Sequence, residues 1–161
     1  MGIKYQRARL RFMQEHQHWM QQALLLAEKA QEIGEVPVGA ILVKDNKIIG
    51  QGFNQPISKN DPSAHAEILA LREAGQTLQN YRLVGTTMYV TLEPCAMCAM
   101  AMVHARIKAL VFATSEPRTG AAGSLYQLVQ NSGHNHQIEM VEDVLQQESS
   151  EMLKRFFKAR R

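Results

Sequence analysis

Thr87-Met88-Tyr89-Val90-Thr91-Leu92-Glu93-Pro94-Cys95-Ala96-Met97-Cys98 is the stretch from which the rest of this 161-residue chain is read. Thr87 to Thr91 is rich in β-branched and aromatic residues and predicts a strand. Pro94 suits the start of a helix, where its missing N–H costs nothing, so a helix over Cys95–Ala105 is expected directly after the strand. A strand that feeds a helix is a unit of α/β architecture. The same stretch holds both cysteines of the chain, at C-x-x-C spacing. Alone, that spacing serves half a metal site, a redox dithiol or two core thiols.

Upstream, a helix is expected from about Ala64 to Gln79, with Ala64, Ile68 and Leu71 on one face and Asp61 and Ser63 as caps. His65 and Glu67 fall in its first turn. Mid-helix, residues two apart diverge by roughly 200°, but at an open N-terminal tip both side chains can reach one ion. Before this helix come a polar loop over 54–63 and two β-rich runs, Val38–Val43 and Ile48–Gly52, hinged at Asp45-Asn46. The apolar positions Trp19, Met20, Ala23, Leu24, Ala27 and Ala30 give a helix over about 15–33, ended by Gly34. Downstream, strands are expected over 107–112 and 138–141. Between them lie a Gly-rich loop over 114–124 and a short helix over 125–130. A last helix over 143–159 presents Leu145, Met152, Leu153 and Phe156 on one face. This order predicts a three-layer α/β/α sandwich with one mixed five-stranded sheet.

The length suits a single domain over 1–161, with residues 1–13 read as an extension and 143–161 as a C-terminal basic helix. No run reaches the length of a membrane span, and no apolar stretch follows the basic N-terminus, so neither a membrane anchor nor a signal peptide is expected. Two cysteines at this spacing do not make a disulfide framework, and thiolate ligands suit a cytoplasmic setting. The net charge is only +3, but it is uneven. Residues 154–161 carry five positive charges and no negative one, and residues 1–11 carry Lys4, Arg7, Arg9 and Arg11 with no acid. The body between is acidic. Basic ends on an acidic body serve either as solubilising tails or as contacts to an anionic partner such as nucleic acid.

His65, Cys95 and Cys98 are three nitrogen and sulfur donors, one short of a closed tetrahedral site, and three protein ligands with one open position is how a catalytic zinc holds water. Glu67, two residues from a ligand, stands free to move that water's proton. The remaining histidines, His16, His18, His104, His134 and His136, have no partner at ligand spacing and are read as surface or loop residues. H-x-E joined to P-C-x-x-C is the signature of zinc-dependent nucleobase deaminases, with the Glu as general acid and base.

Beyond the zinc motif, the chain resembles the bacterial tRNA-specific adenosine deaminases, which convert the wobble adenosine of an anticodon to inosine. The resemblance runs from about Trp19 to the C-terminus. It rests on Glu35-Val36-Pro37-Val38-Gly39-Ala40, Asn54-Gln55-Pro56-Ile57, Asp61 to Glu67, Asn80-Tyr81-Arg82-Leu83, Thr91 to Cys98, Thr119 to Ser124 and the closing Phe-Phe-Lys-Ala-Arg-Arg. It implies a cytidine-deaminase-like fold, one zinc per subunit, a tRNA anticodon stem-loop as partner, an arginine tRNA as substrate, and a homodimer. The sequence is compatible with a dimer, since Met97, Met100 and Met102 and the loop 116–124 suit an adaptable interface; the three methionines equally suit core packing. The resemblance also implies that Asn54 and Ala66 contact the target nucleoside. Glu116 and its loop would touch the neighbouring nucleotide, and Phe157, Lys158, Arg160 and Arg161 would lie along the RNA. The family often has Asp where this chain has Glu116, and a basic residue near Ser115. A free-nucleobase or nucleoside deaminase of guanine or cytidine type shares the zinc and the Glu and needs no basic ends. A binding module with structural zinc would prefer a fourth protein ligand, for which the sequence offers no candidate.

Overall fold

The computed structural model describes residues 2–161. Five strands, β1 (Gly39–Lys44), β2 (Lys47–Phe53), β3 (Thr87–Leu92), β4 (Ala109–Thr114) and β5 (Glu139–Val141), form one sheet in the order β2-β1-β3-β4-β5. β1 pairs antiparallel with β2 and β3, whereas β3, β4 and β5 are parallel. The helices are α1 (Ile3–Glu32), α2 (Pro56–Lys59), α3 (Ala66–Leu78), α4 (Ala96–Ala105) and α5 (Gln146–Lys158). The expected three-layer sandwich with a mixed sheet is the fold observed.

Strand alternation sorts the core into two layers. Ala40, Leu42, Met88, Val90, Leu110 and Phe112 face α3 and α4, meeting Ala66, Ala70, Ala74, Ala99 and Met102. Their neighbours Ile41, Val43, Tyr89, Val111 and Ala113 face α1 through Trp19, Met20, Ala23 and Leu26. α5 joins this second side, with Met152 against Leu24 and Ala27. The β1–β2 hairpin closes on Asp45 and Asn46, both with positive φ (48° and 60°), the geometry whose twist matches paired strands.

The seat of α3 depends on two glycines of β2. A Cβ at Gly50 would lie 2.2 Å from the Ala70 carbonyl oxygen, and one at Gly52 would lie 2.5 Å from that of Ala66. The helix answers with its own small stripe, Ala66, Ala70 and Ala74, each fully buried. Backbone therefore rests almost on backbone, and this sets the height of the α3 tip above the sheet.

Three expectations are corrected. Helix α1 starts at Ile3, not near residue 15, because residues 3–13 contain no Gly or Pro to stop it; side chains 3–12 are exposed. His16 is not a surface residue. It sits on the buried face of α1, its Nδ1 is 2.9 Å from the Tyr89 hydroxyl, and burial lowers its pKa. No helix forms over 125–130. The Gly120 carbonyl takes the N–H groups of both Leu125 and Tyr126, and Ala122 bridges Gln127, so the segment turns back on the Gly-rich loop. The methionines weighed for an interface or the core divide: Met102 is fully buried core and Met97 is exposed.

Candidate active site at two helix tips

β2 and β3 run in the same direction, because each is antiparallel to β1. Their C-terminal ends therefore lie at one end of the sheet. α3 and α4 follow these strands and pack on the same face, so their N-termini open side by side.

Each helix opens on a donor residue held in extended backbone. His65 (φ −72°, ψ 151°) precedes Ala66, and Cys95 (φ −72°, ψ 173°) precedes Ala96. Standing outside the helix, His65 escapes the divergence that would separate it from Glu67 in a regular turn. Pro94 consequently lies one residue before the cap of α4, not at its first helical position. Asp61 and Ser63 do not cap α3 as expected. Asp61 Oδ1 instead accepts the Ser63 N–H (2.8 Å) and hydroxyl (2.7 Å), closing a turn. The cap comes from Asn54, whose Oδ1 accepts the Ala66 N–H at 3.0 Å. His65 cannot serve, since its ring is turned toward the thiols.

His65 Nδ1 lies 3.6 Å from Cys95 Sγ and 3.5 Å from Cys98 Sγ, and the three donor atoms are all within 4.8 Å of one another. Tetrahedral zinc with bonds of about 2.1 Å to nitrogen and 2.3 Å to sulfur sets N and S about 3.6 Å apart. The donors fit. Among the described residues no fourth His, Cys, Asp or Glu joins them, so a fourth position stays available to a small ligand.

The protons of this cluster are arranged for displacement. A hydrogen bond from Cys98 holds the Cys95 thiol down to about 4, and the same bond, with burial, holds the Cys98 thiol well above its ordinary value. His65 is raised, chiefly by its hydrogen bond to Cys95. A dication binds by taking the place of such protons, and the positive tips of α3 and α4 favour thiolates. Glu67, in the first turn of α3, is 4% exposed, and burial pushes its carboxyl up to about 7.

The other expected site residues divide into two sets. Asn54 and Ala66 are at the α3 tip; Ala66 is fully buried with its N–H committed to Asn54. The Asn54 amide nitrogen has no hydrogen-bond partner among the described residues. Glu116, Arg118, Leu153, Lys154, Phe157, Lys158 and Arg161 line a groove of about 720 Å³ between the loop and α5. Val36, Leu92, Thr114 and Ser150 line an adjoining hollow of about 250 Å³. Phe156 is core and Phe157 is 47% exposed on the groove. Arg160 lies apart, its guanidinium 3.5 Å from the Phe156 ring centroid and bonded to the Phe156 carbonyl. Two buried carboxylates had no role in the sequence reading. Glu35 accepts the Ser58 N–H at 2.7 Å and ties down the loop after Asn54, and Glu93 ties down the loop after Thr114. Their only signal was a Glu beside a Pro-containing motif in each case.

Comparison with known proteins adds three findings. The profile of the cytidine and deoxycytidylate deaminase zinc-binding region matches residues 13–114. The tRNA-specific adenosine deaminase of Haemophilus influenzae is 52% identical over 143 residues, covering 88% of this chain and 83% of its own, and that of Bacillus subtilis is 43% identical, covering 91% of each. A structure solved in a study of A-to-I editing by wobble-position tRNA deaminases superposes with a TM-score of 0.82 at 40% identity, covering 84% of this chain and 99% of that one.

Proposed function

The chain belongs to the zinc-binding cytidine and deoxycytidylate deaminase family and, within it, to the tRNA-specific adenosine deaminases, and from that membership we propose that it deaminates the wobble adenosine of a tRNA anticodon to inosine. The observation that carries the chemistry is a cluster of three donors, not four, with a buried Glu67 at the same helix tip.

Zinc held by His65, Cys95 and Cys98 would supply a Lewis acid that brings the pKa of a water to about 7. Glu67 takes a proton from the attacking water and hands it to the ring nitrogen beside the attacked carbon. The water oxygen adds to that carbon; Glu67 then takes the remaining hydroxyl proton and delivers it to the exocyclic amine, and the C–N bond breaks to release ammonia as the inosine carbonyl forms. Burial raises this carboxyl in the metal-free protein, the direction that favours a group able to give as well as take a proton. Asn54 offers its free amide nitrogen to the nucleoside, and Ala66 acts by fixing Asn54. Glu116 and Arg118 meet the neighbouring nucleotide, Phe157 offers a stacking face, and Lys158 and Arg161 hold phosphates. Arg160, stacked on Phe156 and bonded to its carbonyl, does not line this groove and takes no part in these phosphate contacts.

The enzyme is read as a cytoplasmic homodimer. Thiolate ligands support the compartment. An apolar groove between α3 and α4, lined by Ile68, Leu71, Tyr81 and Ala101, supports a second copy as its cover. No helix among the described residues is long and apolar enough to cross a membrane. The deciding experiment is incubation with a purified arginine tRNA that carries an unmodified wobble adenosine, scoring inosine. Product from free cytidine or guanine and none from this tRNA would reject the proposal.

A further inference from the structure

Glu93 is 3% exposed and stands two residues before Cys95. It is no member of the donor cluster, and the proton path above does not use it. Its carboxylate is nonetheless fully engaged. Oε1 accepts the N–H groups of Ala122 and Ser124, each at 3.0 Å. Oε2 accepts the Glu116 N–H at 2.8 Å and the Ser124 hydroxyl. All four donors come from one loop, 116–124. Main-chain bonds join the same two segments: Pro94 O accepts the Ala121 N–H at 2.8 Å, and Cys95 forms an isolated bridge with Gly120. At Gly120 the loop passes so close that a Cβ would lie 2.4 Å from the Glu93 carboxyl carbon. Hydrogen bonds to a charged acceptor are roughly twice as strong as neutral ones. This loop supplies Glu116 and Arg118 to the groove that Phe157 also lines.

We infer that Glu93 is a positioning residue for substrate recognition. It fastens the 116–124 wall of the RNA groove to the turn that carries Cys95, so that the flanking nucleotide and the target base are held in one frame. The inference rests on the tRNA reading above.

The test uses the zinc-loaded enzyme with Glu93→Gln. Glutamine keeps the volume but turns an NH2 donor toward donors, so contacts on one side of the group are lost. Four quantities are measured: zinc per chain, amide hydrogen exchange along the chain, single-turnover deamination of a wobble-adenosine stem-loop over a range of RNA concentrations, and the activity ratio between that stem-loop and one with a changed flanking nucleotide. The expected result is unchanged zinc and faster exchange confined to 116–124. The half-saturating RNA concentration should rise about tenfold, with the saturated rate within about threefold, and the activity ratio should move toward one. Ser124→Ala should shift the same quantities by a smaller factor, and it decides the matter if Glu93→Gln does not fold. Unchanged half-saturation and an unchanged ratio would overturn the inference. So would a joint loss of zinc and saturated rate, which would make Glu93 a support of the metal site. A parent enzyme inactive on the stem-loop rejects the tRNA reading and the positioning role together, whereas an active parent with an indifferent variant rejects the positioning role alone.

Discussion

Glu67→Gln separates the chemistry of the site from its architecture. Glutamine matches the glutamate in size, so the buried position next to Ala66 keeps its packing, and the zinc content should stay at one per chain. Turnover on tRNA should fall by at least ~10²-fold, the usual worth of a positioned proton carrier. Metal-free protein offers a second readout. Burial raises the Glu67 carboxyl from 4.5 to about 7. Below the lower value both folded and unfolded chains hold the proton, and the buried group carries no penalty. Between the two values the unfolded chain ionises while the folded one does not, and stability falls as pH rises. At 1.36 kcal/mol per unit the loss reaches about 3 kcal/mol once the pH passes 7. Glutamine never ionises. In urea melts with a chelator present, the variant should therefore gain on the parent by up to about 3 kcal/mol between about pH 4 and pH 8. Saturating zinc should narrow the gap, because a nearby dication favours the carboxylate. Near-normal turnover would mean that another group moves the proton. A difference in stability that does not vary with pH would mean that the carboxyl is not desolvated.

Cys95→Ala and Cys98→Ala should each lose zinc, read by atomic absorption, together with activity; full retention of metal in either would remove the site as drawn. Gly52→Ala places a methyl 2.5 Å from the Ala66 carbonyl oxygen and should cost about 1–3 kcal/mol in a denaturant melt; because it lifts the α3 tip, zinc affinity should fall as well, and a variant as stable as the parent would contradict the close seating of α3 on β2. Lys158→Glu with Arg161→Glu should lower the log–log salt slope of tRNA binding by about two, or rather less if the contacts fall on single-stranded RNA, with the melting temperature nearly unchanged. An unchanged slope would take the RNA off this groove.

What was legible in the sequence follows from where the chemistry is written. His65, Glu67, Cys95 and Cys98 were readable because zinc and proton transfer demand particular side chains at short spacings. The sheet was readable because Val38–Val43, Thr87–Thr91 and Ile107–Phe112 are short β-rich runs, and Val38–Val43 is apolar on both faces, as a strand covered on two sides must be. Glu93 was not, since its partners are mostly backbone amides 23 to 31 residues away, and an amide leaves no mark in residue type. His16 was misread for the same kind of reason: its partner Tyr89 lies 73 residues on. Leu125, Leu128 and Val129 have a plausible helical period, but the Gly120 carbonyl claims the N–H groups at the start of that segment. Gly50 and Gly52 read as ordinary hairpin residues. Only the packed helix reveals that their missing side chains are what admits α3.

The site makes electrostatic sense only as a loaded centre. Two thiolates and the Glu67 carboxylate would bring three negative charges to a mostly buried place, and two helix tips return only about half a charge each. Without a cation the cluster must keep protons, and the raised groups, Cys98, His65 and Glu67, are those that keep them. A dication held by His65, Cys95 and Cys98 would take the place of the first two protons and leave Glu67 as the group whose proton can move. Burial and such an ion would act on Glu67 in opposite directions, burial holding its proton on and the ion drawing it off. That balance is adjustable only because Glu67 is beside the cluster and not in it. A carboxylate bound to the metal would lose its reach, and one farther away would feel burial alone. The placement of His65 outside α3 and Glu67 inside its first turn is what sets that intermediate position.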